Sequence, residues 1–363
     1  MKNTSYRLVN HMLILALLLF AISVRGQKVL RVGVAGLTHD HVHNIMNQFK
    51  RGEVIIAGIV ESDPQLIARY KRSYQLPDSL FYTDLPTLIS HTHPDAVLAY
   101  NAISEHLGIV EICAPKGISV MVEKPLSTTV KDATRIAALA AQYHIRVLVN
   151  YETNWYDTNQ QIFEMVNANE IGAPRKLIVH DGHQGPKEIG CSPDFLNWLT
   201  DPVKNGGGAI RDFGCYGANL MTWLMHGQAP IAVTAVTHHI KPSIYPKVDD
   251  DATILLEYPD ATGIIEASWN WPYGIKDWEV FGTTGYLHAL NNRQLVKRRL
   301  NDYDSVAVHP AVYRDNIPYL ADVLAGKTDP GNDLSSLPNN LIVVRILEAA
   351  SRSAKEGRRI ELH

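Results

Sequence analysis

The sequence predicts an α/β chain in two parts: an N-terminal parallel sheet wrapped by helices, then an α+β part whose open sheet is largely antiparallel. Three observations carry this. From Val29 onward, short apolar strand-like runs alternate with helix-period segments, the pattern that builds parallel sheets. After about Tyr151 the texture changes to closely spaced β-rich runs with turns such as Pro259-Asp260 between them, and links that short join antiparallel neighbours. The 363 residues, 46% hydrophobic and 20% charged, suffice for two domains of ordinary size.

Taken in order, Val29 to Gly36 reads as a buried first strand and a helix pattern follows through about Phe49. Glu53 to Val60 is a second strand ending at Glu61, and Asp63-Pro64 has the residue types that open a helix. Strands at Ala96–Tyr100, Ile118–Val122 and Val147–Asn150 alternate with helices at Glu105–Ala114 and Val130–Tyr143. In the second half a helix near Gln160–Val166 precedes the strand Lys176–His180, and another is expected at Ala218–Met225. A meander of strands then covers Ala232–Ile240, Asp251–Tyr258, Gly263–Trp269, Trp278–Gly282 and Tyr286–Ala289. Helices around Pro318–Ala325 and Asn339–Lys355 close the chain. The expected boundaries are 1–26 for a leader, 27–150 for the parallel α/β domain, of Rossmann type, and 151–363 for the α+β domain.

The leader reading rests on Lys2 and Arg7 before an apolar run from Met12 to Val24, closed by Arg25-Gly26. The run is short for a bilayer span and has the charge flanks of a cleaved signal peptide, so an exported, periplasmic or secreted protein with no stable membrane insertion is expected. A formal net charge of -3 gives no electrostatic footprint for nucleic acid, which is excluded as a partner. Cys113, Cys191 and Cys215 are odd in number and match no zinc or redox spacing; free thiols are expected, with a Cys191-Cys215 bridge the minor alternative.

Chemistry concentrates in Val120-Met121-Val122-Glu123-Lys124-Pro125, an apolar run ending in a carboxylate, an ammonium and a ring-locked backbone. In an open α/β sheet ligands sit at strand carboxyl ends, which makes Lys124 a candidate catalytic group. The first turn, Gly36-Leu37-Thr38-His39-Asp40-His41, falls where a dinucleotide fingerprint would lie, yet Thr38 and His41 stand in place of its second and third glycines. Glu61, at the end of the second strand, is placed to accept both ribose hydroxyls and to repel a 2′-phosphate, which favours NAD over NADP. His39 and His41 form an H-x-H, the spacing of a metal-dependent hydrolase. That fold needs eight β/α units, which the second half lacks, so no metal is expected and the histidines are placed at the cofactor mouth.

The whole constellation resembles the Gfo/Idh/MocA oxidoreductases, the family of glucose-fructose oxidoreductase and inositol dehydrogenase. The resemblance is carried by Glu123-Lys124-Pro125, by Asp95-Ala96-Val97 through Asn101 and His106, and by the glycine-rich block Gly206 to Tyr216. Val248-Asp249-Asp250, Glu348-Ala349-Ala350 and Arg359 to Leu362 are further landmarks. It implies that Gly36, Leu37, Thr38, His39, His41, Glu61, Asn101, His106, Glu123 and Lys124 hold NAD. It also implies catalysis by Lys124 with Asp212 and Tyr216. Asn154 stands where many members carry arginine, Tyr216 where the usual residue is histidine, and Asn219 where aspartate is frequent. A tyrosine at 216 resembles the glucose-fructose oxidoreductase branch.

In that reading Lys124, its charged form disfavoured by a dry pocket, polarises or deprotonates a substrate hydroxyl, Tyr216 relays the proton and Asp212 orients either partner. Asn154, His183 and Tyr216 contact a carbohydrate substrate. Asn150 and His180 are further reach points for hydroxyls, and Trp155, Tyr156, Trp198, Trp269, Trp271 and Tyr273 are candidates to stack on sugar faces. A homo-oligomer through the open face of the C-terminal sheet is expected. The activity implied is NAD(P)-dependent oxidation of a secondary hydroxyl of a sugar or sugar derivative, on a retained cofactor because free NAD is scarce outside the cytoplasm. An NAD-dependent redox-neutral glycosidase or lyase and a non-catalytic sugar-binding protein are the alternatives.

Overall fold

A Val-Gly-Val-Ala run buried at every position forms the centre of the first sheet, in the strand β1 (Arg31–Ala35). The computed structural model describes residues 29–362, so the leader lies outside the described residues. After β1 come α1 (Val42–Lys50), β2 (Ile55–Val60), α2 (Pro64–Tyr74), β3 (Phe81–Tyr82), α3 (Leu85–Thr92) and β4 (Ala96–Ala99). Next are α4 (His106–Cys113), β5 (Ser119–Glu123), α5 (Val130–Tyr143) and β6 (Val147–Asn150). The helices start where side chains satisfy free amides: Asp63 accepts from Gln65 and Leu66, Asp84 from Thr87, and Thr129 from Asp132.

The six strands are all parallel, in the order β3-β2-β1-β4-β5-β6. This is the doubly wound Rossmann order, and its topological switch point lies between β1 and β4. The carboxyl ends of β1, β4 and β5 therefore flank the crevice in which such sheets bind ligands.

The second half begins with α6 (Asp157–Asn167), β7 (Pro174–Gly182), α7 (Pro193–Leu199), α8 (Ala209–Asp212) and α9 (Gly214–Leu224). Strands β8 (Ala232–His238), β9 (Asp251–Glu257), β10 (Thr262–Ser268), β11 (Ile275–Gly282) and β12 (Tyr286–Ala289) follow. The chain closes with β13 (Leu295–Arg299), β14 (Asp302–Val306), α10 (Asn316–Leu324), α11 (Leu337–Glu356) and β15 (Ile360–Glu361). These nine strands form one sheet, β14-β13-β12-β11-β7-β10-β9-β8-β15, antiparallel throughout except for the parallel pair β7/β10. The insertion of β7 between β10 and β11 is where the sheet departs from a plain meander. Helix α9 is buried at every position, and Gly217 permits its approach: a side-chain carbon there would meet Ile265 Cγ2 at 2.6 Å.

The hairpin β13/β14 is absent from the sequence reading because Leu-Val-Lys-Arg-Arg and Asp-Tyr-Asp-Ser-Val, at the sheet edge, are polar on both faces and show no period of two. The three cysteines are free, so the Cys191-Cys215 alternative falls. Among the described residues no helix is long and apolar enough to cross a membrane.

Candidate active site at the carboxyl end of β5

Strand β5 is buried over all five residues and delivers Glu123 and Lys124 to the sheet's carboxyl edge, where the Lys124–Pro125 peptide is cis. Lys124 is 6% exposed and its Nζ is ion-paired to Asp212 Oδ1, 88 residues later on α8; it also donates to the Asp212 carbonyl at 3.1 Å. The other oxygen of Asp212, Oδ2, accepts the Trp269 indole N–H at 3.0 Å. Burial works against the Lys124 ammonium, and the Asp212 carboxylate overrides it, so the net shift of Lys124 is upward. This corrects the expectation of a lysine with lowered proton affinity: the pair keeps Lys124 charged. Burial likewise opposes the Asp212 carboxylate, and Lys124 holds it below the usual range.

A second ion pair stands beside the first. Lys276 on β11 bonds Glu152 Oε2 at 2.6 Å and lies 4.4 Å from the centre of the Tyr216 ring, with Lys124 Nζ 5.1 Å from the same centre. Asp181 on β7 is the cross-strand partner of Lys276, is 2% exposed, and keeps Oδ1 without a hydrogen bond. Burial pushes its carboxyl up to about 8, against the pull of Lys276. Burial also raises the Tyr216 phenol well above its usual value, which makes it a proton donor and not a base. His183 completes the cluster: its Nδ1 accepts the Gly185 amide at 2.9 Å, its ring abuts Phe213, and burial lowers it.

Gly36 follows β1, Glu61 follows β2, Asn101 follows β4 and Glu123 ends β5, so these expected cofactor residues meet at one edge of the sheet. Gly36 takes φ +83°, and a side-chain carbon on it would lie 2.8 Å from Asn101 Cβ, so only glycine makes this turn. Asn101 Oδ1 and His106 Nε2 are buried without partners, the kind of orphan that a bound polar group satisfies. Glu61, however, accepts the amides of Leu37 at 3.0 Å, Ser62 at 2.8 Å and Asp63 at 3.0 Å. The His39 amide donates to the Tyr100 carbonyl at 3.0 Å. Helix α7 lies over the turn: Trp198 Nε1 donates to the Thr38 carbonyl at 3.3 Å, the Ser192 amide to Asp40 Oδ2 at 2.9 Å, and Phe195 and Trp198 pack on the His39 ring at 4.7 and 5.3 Å. Arg69 of α2 is ion-paired to Asp194 of α7. The glycine turn and the orphaned Asn101 and His106 atoms fit a nicotinamide dinucleotide.

His39, His41 and Glu123 bring ligand-type atoms within 4.8 Å of one another, the arrangement behind the H-x-H signal. Their contacts are those of a hydrogen-bond network. His39 Nδ1 accepts the His41 amide at 3.1 Å and burial keeps the ring neutral, so its proton sits on Nε2, 3.9 Å from Glu123 Oε2. A metal would need a lone pair on that nitrogen. His41 Nδ1 contacts the same oxygen at 2.8 Å, and Asn150 donates to the other at 2.8 Å.

The comparisons with known proteins decide the family. Residues 28–151 match the oxidoreductase family with NAD-binding Rossmann fold, and residues 159–288 match the GFO/IDH/MocA C-terminal domain. The chain belongs to the GFO/IDH/MocA family. The rhizopine catabolism protein MocA of Rhizobium meliloti is 26% identical over 216 residues, 57% of this chain and 63% of its own length. A D-apiose dehydrogenase of Paraburkholderia graminis is 20% identical over 94% of this chain and 91% of its own. The chain spans 63% of MocA and 45% of a D-xylose 1-dehydrogenase [NADP(+)] of Haloarcula marismortui, under two thirds of either. The fold is shared with an aldose-aldose oxidoreductase from Caulobacter crescentus: TM-score 0.77, 23% identity, 92% of this chain and 100% of that one. An inositol dehydrogenase homolog from Azotobacter vinelandii, complexed with NAD+, gives TM-score 0.79 at 17% identity over 93% and 98%.

Within this GFO/IDH/MocA site several expected residues lie elsewhere. His180 is one residue from Asp181 on β7, and strand alternation turns it to the opposite face, where it pairs with Asp277 at 2.6 Å. Asn154 bonds Ser335 Oγ at 2.7 Å and lines a separate cleft with Trp155, Tyr319 and Asp333, so it is not beside Lys124. Trp198 and Trp269 are buried core residues and cannot stack on a sugar; Tyr273 is exposed. The sequence reading missed Lys276, Asp181 and Glu152. The signal was present: a lysine and an aspartate at core-facing positions of two strands, where unpaired charge is rare.

Proposed function

We propose that this protein oxidises a secondary hydroxyl of a sugar or sugar derivative, using NAD in preference to NADP and keeping the cofactor bound between turnovers. The observation that carries this reading is the buried Lys124–Asp212 ion pair at the carboxyl end of β5, assembled from the two halves of the chain. Two matched pairs, Lys124–Asp212 and Lys276–Glu152, with an Asp181 that is uncharged at neutral pH, leave the cluster close to electroneutral. Such a site favours a neutral polyhydroxyl ligand over an ion. Gly36, Glu61, Asn101 and His106 would hold NAD, and the bound nicotinamide would supply the hydride acceptor.

Every other task falls to side chains. Lys124 Nζ donates to the substrate oxygen and receives its proton as it passes its own to Asp212 Oδ1. Trp269 keeps Asp212 facing the lysine, and the Tyr216 hydroxyl and Asp181 are donors to neighbouring hydroxyls. The Glu61 carboxylate at the ribose end disfavours a 2′-phosphate, and α7 lying over the turn supports retention of NAD. Sugar dehydrogenases among the relatives, for xylose and apiose, support the substrate class.

The test is direct: denature purified protein, assay the supernatant for NAD(H), and titrate NAD into the remainder. Bound cofactor, together with loss of sugar oxidation by about 100-fold or more in Lys124→Ala, is the expected result. Protein without NAD(H) or affinity for it refutes the proposal, as does a fully active Lys124→Ala. A negative cofactor result would point to a second reading, a sugar-binding protein without redox activity. Release of nitrophenol from nitrophenyl glycosides without added NAD would identify the redox-neutral glycosidase.

A further inference from the structure

The cleft that holds Asn154 is a cavity of about 100 Å³ lined by Asn154, Trp155, Tyr313, Tyr319 and Asp333; Lys124, Asp212 and Tyr216 do not line it. Val312, 85% exposed, also borders it, so the cavity reaches the surface. Its aromatic rings stand at angles to one another instead of stacking flush. Trp155 and Tyr319 are 5.4 Å apart at 55°, and Tyr313 and Tyr319 5.3 Å apart at 82°. The hydroxyls of both tyrosines are committed elsewhere: that of Tyr319 donates to Asp333 Oδ2 at 2.5 Å, and that of Tyr313 lies 2.6 Å from Thr328 Oγ1 and 3.1 Å from Asp322 Oδ2.

Two acceptors of this lining lack a matching donor. Asn154 Nδ2 donates to the Val149 carbonyl at 3.3 Å and to Ser335 Oγ at 2.7 Å. Because a carbonyl can only accept, that orientation of the amide is fixed, and Asn154 Oδ1 is left buried without a hydrogen bond. The carboxylate of Asp333 takes the Tyr319 hydroxyl and the Ser335 amide, the latter at 2.9 Å, and no lysine or arginine is among its partners within the described residues. Burial pushes this carboxyl up to about 6, so at neutral pH it is mostly ionised with no cation to neutralise it. An uncompensated carboxylate, an orphan carbonyl and three aromatic rings in one concavity are the recognition chemistry of a cation that carries N–H groups: the rings attract the charge and the oxygens accept the protons. A single carboxylate among rings suits an organic cation better than calcium, which takes about six to eight oxygen ligands. The volume, well under the roughly 300 Å³ at which ordinary small-molecule pockets begin, fits an ammonium head group on a short alkyl stem.

We infer that this cavity binds the primary ammonium group of a small amine against the Trp155, Tyr313 and Tyr319 rings, with the Asp333 carboxylate and the Asn154 carbonyl accepting its N–H groups. The site is independent of the oxidoreductase reading and stands or falls separately from it. The test is calorimetric titration of the full chain at neutral pH with ethylammonium chloride and, separately, tetramethylammonium chloride, at an ionic strength fixed with sodium chloride. Saturable binding of ethylammonium is expected, tighter than that of tetramethylammonium by about tenfold or more, because the methylated ion has no N–H to donate. Asp333→Asn, which removes the charge but keeps an oxygen for Tyr319 and Ser335, should weaken ethylammonium binding by about tenfold or more. Trp155→Leu, which removes a ring without touching the carboxylate, should weaken it by about threefold or more. Thermal melts establish that each variant is folded, and Trp155→Leu carries the test should Asp333→Asn not fold. Absence of saturable binding, equal affinity for the two ions, or wild-type affinity in either folded variant overturns the proposal.

Discussion

Asp181 is the residue on which the site's response to pH should turn. It is faced by Lys276 across the strand pair, by Glu152, and by Lys124 and Asp212, and burial outweighs the two ammonium groups to place its carboxyl near 8 against an ordinary 3.8. The folded state thus keeps a proton that the unfolded chain releases. Stability from this group is complete below about pH 4 and is lost as pH rises through about 8. Asp181→Asn, which cannot titrate, should therefore gain Tm relative to wild type progressively over that interval and show little difference at its acid end. Thermal melts across the range check this; parallel curves would remove Asp181 as the titrating group. At this scale Lys124 was legible because its neighbours, a buried strand and a proline, constrain it in sequence. Lys276 was missed because the strands read from the sequence, Trp278–Gly282 and Lys176–His180, stop short of Lys276 and Asp181, and its partner Glu152 lies 124 residues away.

Helix α7 matters most among the elements, for seven residues join the C-terminal half to the turn after β1. Phe195 and Trp198 are buried against His39, while the outward tie, Arg69–Asp194, is an ion pair half in solvent. Exposed pairs contribute about 0–1 kcal/mol, so Arg69→Ala should leave global stability almost unchanged. It should nonetheless speed amide exchange across Pro193–Leu199, if that helix opens locally to admit a cofactor. Exchange followed by mass spectrometry distinguishes the outcomes: protection of this helix equal to wild type argues against a separable cap. The element was not legible because its pattern, Pro-Asp-Phe-Leu-Asn-Trp-Leu, is too short to show a helical period. By contrast α5 and β6 have the boundaries the sequence suggested, since a full apolar period and a four-residue buried run each identify themselves.

At the scale of the whole molecule, the outer face of the nine-stranded sheet is the surface we propose for self-association. Ile178, Ile264 and Leu255 sit side by side there on β7, β10 and β9, with Leu255 40% exposed. Sedimentation of wild type should show a homo-oligomer, and Ile178→Lys should dissociate it by placing a charge in the stripe. A wild-type monomer at micromolar concentration would end this proposal. Sequence alone determined the two-part α/β architecture, the family and the lysine at the end of β5, because these depend on local periodicity, on turn chemistry and on contiguous motifs. Tertiary structure decided the charge state of Lys124, the turning of His180 away from the site, the recruitment of Lys276 and Asp181, and the packing of α7 on the turn after β1. Each of these depends on burial and on partners tens to more than a hundred residues away, and neither desolvation nor a cross-strand neighbour is written in the local sequence.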